Sequence, residues 1–193
     1  MAEVPSTFTL EAGQKAPGFE LPDAQGAMHS LESVMGKKGT LVIFACNHCP
    51  FVIHLAKEVG AMAAEMKDWG VSTVAISAND IEKYPQDAPD KMAEFAKEYG
   101  WDFPYLYDES QEIAKSYYAA CTPDFFLLDG DGCLYYAGQF DDSRPKNSLP
   151  VDGKDLKIAI RDLLEDAPAS TATRPATGCN IKWKPGNEPA YFG

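Results

Sequence analysis

Residues 46 to 50 read Cys-Asn-His-Cys-Pro, two thiols three residues apart with an imidazole between them. The thiolate, not the thiol, attacks disulfides and peroxides, so a pair of cysteines does redox chemistry only where the surroundings favour the anion. His48, if protonated, would stabilise a thiolate at Cys49 and raise its reduction potential. The same side chains, Cys46, His48 and Cys49, are soft and borderline metal ligands, so copper or zinc binding is the competing chemistry. The spacing is not that of a zinc finger, because the chain offers no second ligand pair. A third possibility is a redox sensor that changes partner on oxidation without turning over.

The flanking residues say how these groups are held. Thr40 to Ala45 is a nearly continuous apolar run, as expected of a strand buried on both faces. From Pro50 to Trp69, Phe51, Leu55, Val59, Met62 and Met66 recur at helical spacing, and Gly70 ends the pattern. A strand thus delivers the thiols to a helix N-terminus, whose unpaired N–H groups and partial positive charge favour an anion. Proline decides the register. A residue before proline is pushed out of the α region, so Cys49 suits an N-cap with Pro50 at the first helical position.

Val71 to Ala78 is a second buried strand, and β-α-β at this spacing implies a right-handed parallel crossover. Ahead of the site, Phe19 and Leu21 alternate in an extended lead-in, Gln25-Gly26 marks a turn, and His29 to Met35 suits one helical turn. Beyond it come a polar loop (79–90), a helix over Lys91 to Tyr99, a short strand over Phe103 to Tyr107 and a short helix over Gln111 to Tyr118. Asp124 to Leu128 and Cys133 to Ala137 flank Asp-Gly-Asp-Gly, a hairpin signal. Asp152 to Leu164 is a final helix. The order implies one α/β domain, a central mixed sheet with helices on both sides. We bound it at residues 8–166. Residues 167–193 are an irregular C-terminal extension whose Trp183, Tyr191 and Phe192 imply packing on the domain.

At 193 residues the chain has room for one full core. A net charge of −12 argues against nucleic-acid or anionic-membrane binding, which need a basic surface. The start of the sequence has neither a basic n-region nor a long apolar run, and five irregularly spaced cysteines do not resemble a secreted disulfide scaffold. A cytoplasmic setting is expected, without membrane or cofactor. Cys133 is read as a buried structural residue and so, first, is Cys179, although a tail cysteine can reach a site or a partner. His29 and His54 are read as satisfied or surface residues, and Asp141 to Arg144 as a solvated loop with a local ion pair or, alternatively, as a border of the cleft.

The lead-in Gly13-x-x-Ala16-Pro17-x-Phe19-x-Leu21-x-Asp23, the Cys-Asn-His-Cys-Pro-Phe-Val stretch, Cys121-Thr-Pro-Asp-Phe-Phe and Gly178-Cys-Asn-Ile-Lys-Trp-Lys-Pro-Gly-Asn together resemble the thioredoxin-fold redoxins. The likeness is to the peroxiredoxin-like branch of the alkyl hydroperoxide reductase and thiol-specific antioxidant group, and it covers nearly the whole chain. It implies a thioredoxin-like fold and a thiol-dependent oxidoreductase. In that family about four residues separate the strand's last Phe from the attacking Cys, which fits Phe44 and Cys49 but not Cys46. Cys46 then takes the place of the peroxiredoxin Thr, and Val42 that of its Pro. With no clear match for the peroxide-binding Arg, dithiol–disulfide exchange is favoured over fast peroxide reduction. Cys49 attacks a disulfide or hydroperoxide substrate, Cys46 or Cys121 resolves, and a thioredoxin-type or small-thiol reductant restores the pair. Thr122-Pro123 is expected to be cis and to offer backbone to an extended substrate.

Overall fold

A computed structural model describes residues 3–169 and 173–192. In chain order the strands and helices are β1 (Glu3–Pro5), β2 (Glu20–Pro22), β3 (Met28–Ser30), α1 (Leu31–Val34), β4 (Gly39–Phe44), α2 (Pro50–Asp68), β5 (Val71–Ser77) and α3 (Pro89–Tyr99). They continue as β6 (Tyr105–Tyr107), α4 (Glu112–Ser116), β7 (Cys121–Thr122), β8 (Asp124–Asp129), β9 (Leu134–Gly138), α5 (Lys154–Leu164) and β10 (Thr177–Asn180). Among the described residues no helix is long and apolar enough to cross a membrane.

The main sheet has the order β6-β5-β4-β8-β9. β4, β5 and β6 run parallel, and β8 and β9 are antiparallel additions on the other side of β4. Every residue of β4 is buried, which explains the unbroken apolar run: alternate side chains serve opposite faces. Leu41 and Ile43 join Val52, Leu55, Val59, Met62 and Met66 of α2, Met92 and Phe95 of α3, and Leu156 and Ile160 of α5. Val42 and Phe44 face Phe19 and Leu21 of the lead-in, Ala114 and Tyr117, and Ile181 and Trp183 of the C-terminal segment. This is a thioredoxin-like α/β fold with one sheet between two apolar layers.

The expected elements are present, with bounds moved by a residue or two. α3 starts at Pro89 rather than Lys91, because proline is favoured at the first helical position. Four short strands, β1, β3, β7 and β10, were not anticipated. β10 pairs antiparallel with β1 and with β7, making a second, three-stranded sheet from the two ends of the described chain and the segment before Pro123. Tyr191 adds its hydroxyl to the Ala119 carbonyl at 3.1 Å. Residues 170–172 and 193 of the expected extension lie outside the described residues.

The Asp141 to Arg144 loop differs from its expectation. Asp141 and Ser143 are buried, the Asp141 carboxylate accepts the N–H groups of Ser143, Asp152 and Gly153 at 2.8 Å, and Arg144 donates to carbonyls of Asp141 and Ser143 and to Gln139. A run of polar residues looks solvated in sequence; here it is the hydrogen-bonded corner that starts α5.

Candidate active site

Cys49 is the N-cap of α2, with extended dihedrals (φ −72°, ψ 121°) and Pro50 following. Its carbonyl accepts the first helical bond, from Ile53 N–H at 3.0 Å. Cys46 lies past the end of β4. The two thiols therefore meet at the mouth of the strand–helix junction, both almost without solvent exposure (Cys46 1%, Cys49 0%).

Opposite them runs β7 and the Thr122–Pro123 peptide, which is cis. The Cys49 sulfur lies 3.1 Å from the Thr122 carbonyl oxygen, to which it donates while protonated, and the Cys46 sulfur lies 3.4 Å from the Thr122 hydroxyl. One residue thus touches both thiols. Cys121, read as a rival resolving thiol, does not turn that way: its thiol donates to the Pro123 carbonyl at 3.5 Å. Burial, and then the carboxyl of Asp124, hold the Cys121 thiol well above its ordinary pKa.

A third thiol reaches Cys49. Cys179, on β10, is packed in the same buried cluster as Cys46 and Cys49, and its thiol does most to pull Cys49 below the ordinary thiol range. The Cys46 thiol adds the next share and the Thr122 hydroxyl a smaller one, against the opposing effect of burial. An anion that accepts two S–H protons is favoured over the thiol. The partners move the other way. Burial, and then donation to Cys49, push Cys46 up, while donation to Cys49, and then burial, push Cys179 up. Of the three thiols, Cys49 is the one whose surroundings favour ionisation.

His48 is placed differently from the expectation that it tunes Cys49. Its Nδ1 lies 2.6 Å from Asp87 Oδ2, and its ring stacks on Tyr84 (centroids 5.3 Å apart, planes 6° from parallel). The fully buried Asp87 was not singled out in sequence. It also accepts Asn47 N–H at 2.9 Å, His48 N–H at 3.2 Å and the Asn79 amide at 2.9 Å. This carboxylate fixes the turn between the two cysteines. Asn79 in turn accepts Lys182 N–H at 2.8 Å, and the Lys182 ammonium lies over the Tyr84 ring, so the C-terminal segment braces the same turn.

The metal set differs as well. Cys46, His48 and Asp87 bring ligand atoms within 4.8 Å of one another, with Asp87 in the place expected for Cys49. Both Asp87 oxygens already accept hydrogen bonds, and Cys46 is engaged with Cys49. These groups form a hydrogen-bonded clamp around the turn between the two cysteines. Elsewhere, His54 pairs with Ser143 at 2.7 Å and His29 with Asp23 at 2.9 Å, both satisfied as read. Cys133 is partly buried, at the far end of β8 and β9 from the site.

The AhpC/TSA family matches residues 12–137. The chain belongs to that family. It is 26% identical over 154 residues to peroxiredoxin Bcp of Escherichia coli, a match that spans 74% of this chain and 92% of that one. It is 27% identical over 121 residues to the thiol-disulfide oxidoreductase ResA of Halalkalibacterium halodurans, spanning 63% of this chain and 64% of ResA, a little under two thirds of that protein. In structure it resembles an uncharacterised conserved protein from Geobacillus kaustophilus, with a TM-score of 0.92 and 46% identity over 96% of this chain and 98% of the other. The family match ends before β10, so Cys179 lies outside it.

Proposed function

We propose that the chain is a thiol-dependent oxidoreductase that exchanges disulfides, with slow peroxide reduction as a side activity, and that Cys49 is its nucleophile. One observation carries the choice of Cys49: it is the N-cap residue of α2, its sulfur 3.1 Å from the carbonyl of the cis Thr122–Pro123 peptide and clustered with the thiols of Cys46 and Cys179. A sulfur held as an anion at a helix N-terminus is primed to attack. The family membership, with relatives named a peroxiredoxin and a thiol-disulfide oxidoreductase, supports the reaction class.

In this reading the Cys49 thiolate attacks one sulfur of a substrate disulfide, or the outer oxygen of a hydroperoxide, and a thioredoxin-type or small-thiol reductant later restores the dithiol. Thr122 and Pro123 line the site, but Thr122 is already paired with Cys179 of β10 and both residues are buried, so the expected offer of Thr122 backbone to a substrate requires β10 to give way. Cys46 keeps a proton beside the nucleophile and is its near neighbour within the motif. The five free cysteines suit a reducing, cytoplasmic setting.

The test is turnover of a small disulfide and of hydrogen peroxide with dithiothreitol as reductant. Cys49→Ser should abolish both activities, whereas Cys133→Ser should leave both unchanged. If Cys46→Ser alone abolishes turnover and Cys49→Ser does not, the assignment of the nucleophile is wrong.

A further inference from the structure

We propose that Cys179, on the C-terminal strand β10, is the resolving thiol that closes a disulfide with Cys49. This rests on the reading of Cys49 as the nucleophile. The backbone brings the two together. Cys179 is the register partner of Thr122, the residue whose carbonyl accepts the Cys49 thiol at 3.1 Å. The neighbouring Gly178 lies so close to that carbonyl that a Cβ there would sit 2.0 Å from it. β10 therefore rests directly on the segment facing Cys49. As the cross-strand partner of Thr122, Cys179 presents its side chain on the face where the Thr122 hydroxyl meets Cys46 at 3.4 Å, and Cys46, Cys49 and Cys179 share one buried cluster.

Three thiols stand near enough to compete, and their surroundings separate them. Cys121 donates to Pro123 and sits beside Asp124, whose negative charge opposes a second anion. Cys46 is held protonated chiefly by burial, then by donation to Cys49, with Asp87 opposing its ionisation as well. Oxidation of Cys49 removes the second of these causes and leaves the largest in place. Cys179 is different: donation to the Cys49 thiolate is the largest cause holding its proton, and the ammonium of Lys182 acts in the opposite sense. Once Cys49 is tied up in a mixed disulfide, its negative charge is gone. The main restraint on Cys179 goes with it, while the attraction of Lys182 remains. Oxidation of the nucleophile is thus what releases the resolving thiolate.

The electrons balance as follows. Cys49 thiolate attacks one sulfur of the substrate disulfide; that S–S bond breaks, and the first substrate thiolate leaves and is protonated by solvent. Cys179 thiolate then attacks the Cys49 sulfur, the mixed disulfide breaks, and the second substrate thiol departs. The substrate gains two electrons, and Cys49 and Cys179 lose two. With a hydroperoxide, Cys49 is oxidised to sulfenic acid as the O–O bond breaks, and attack by Cys179 expels water. An external dithiol reverses the Cys49–Cys179 bond in either case.

The experiment is non-reducing peptide mapping by mass spectrometry of the full chain, reduced and then treated with one equivalent of hydrogen peroxide. Wild type, Cys46→Ser and Cys121→Ser should each give the Cys49–Cys179 linked peptide. In Cys179→Ser that peptide is absent, and dimedone should trap Cys49 as sulfenic acid at least tenfold more than in wild type. A Cys46–Cys49 link in wild type that persists in Cys179→Ser overturns the proposal and leaves the nucleophile intact. If Cys49 takes neither a link nor dimedone in any variant, the nucleophile reading itself falls, and this proposal with it. The wild-type and Cys46→Ser maps decide the matter even if Cys179→Ser fails to fold.

Discussion

Gly178→Ala gives the sharpest test of how the C-terminal strand is seated. A Cβ at Gly178 would lie 2.0 Å from the Thr122 carbonyl oxygen and 2.6 Å from its carbon. Both are backbone atoms and cannot rotate away. To restore even a tight contact, β10 must retreat from β7 by about 1 Å, an overpacking strain of roughly 1–3 kcal/mol. A retreat of that size stretches the short ladder between Cys179–Asn180 and Cys121–Thr122 beyond hydrogen-bonding distance, at roughly 0.5–1.5 kcal/mol for each bond. For two such bonds the sum is about 2–6 kcal/mol, which for a chain of this size lowers Tm by roughly 4–24 °C. The same retreat withdraws Cys179 from Cys49 and removes the largest cause that keeps Cys49 anionic. Calorimetry gives Tm. The pH midpoint of iodoacetamide alkylation at Cys49, followed by mass spectrometry, gives the thiolate fraction independently of any change in access. The midpoint should move to higher pH. A variant with Tm within 1 °C of wild type and an unmoved midpoint would refute the seating of β10 on the site and the donation from Cys179.

Two other buried carboxylates make testable demands. Asp124 is fully buried, accepts from the Ser6 hydroxyl at 2.6 Å, and burial raises its pKa to about 7. Its folded pKa lies above the unfolded value of about 3.9, so its contribution to stability is complete below about pH 4 and is lost as pH rises through 7, at up to about 1.4 kcal/mol per pH unit. In urea titrations across that window, Asp124→Asn should remove this part of the slope; identical slopes in the two proteins would show that another group titrates. Asp87→Ala leaves two backbone N–H groups, the His48 ring and the Asn79 amide without their common acceptor. It should cost roughly 2–5 kcal/mol in urea unfolding, and a loss under about 0.5 kcal/mol would mean the turn between the cysteines does not depend on this clamp.

What the sequence made legible was local. The apolar run into Phe44 and the helical repeat from Phe51 to Met66 report burial that is fixed within one or two elements. Pro50 restricts its own neighbour, so the N-cap role of Cys49 could be read from two adjacent residues. Asp87 carries no such signal. It is one acid in a polar loop, and only the fold shows that the loop turns inward to receive Asn47 and His48. Cys46, Cys49 and Thr122 were all within reach of motif reasoning because each abuts a proline or a strand end.

Cys179 is the instructive case, because a signal was present and pointed elsewhere. A cysteine in a Pro-, Thr- and Gly-rich tail reads as structural, since nothing nearby in sequence is periodic. Yet Gly178 stands in a strand, and glycine in a strand marks a place where another backbone comes close. Here that backbone is Thr122. The pair Gly178-Cys179 therefore encodes two things at once, a close approach and a thiol delivered by it. The first condition is met by no other residue, because any Cβ would lift the strand, and the second is useless without the first. With Cys49 as the proposed nucleophile, the C-terminal segment, paired through β10 with the strand before Pro123, is part of the proposed site rather than an appendage to the redoxin core.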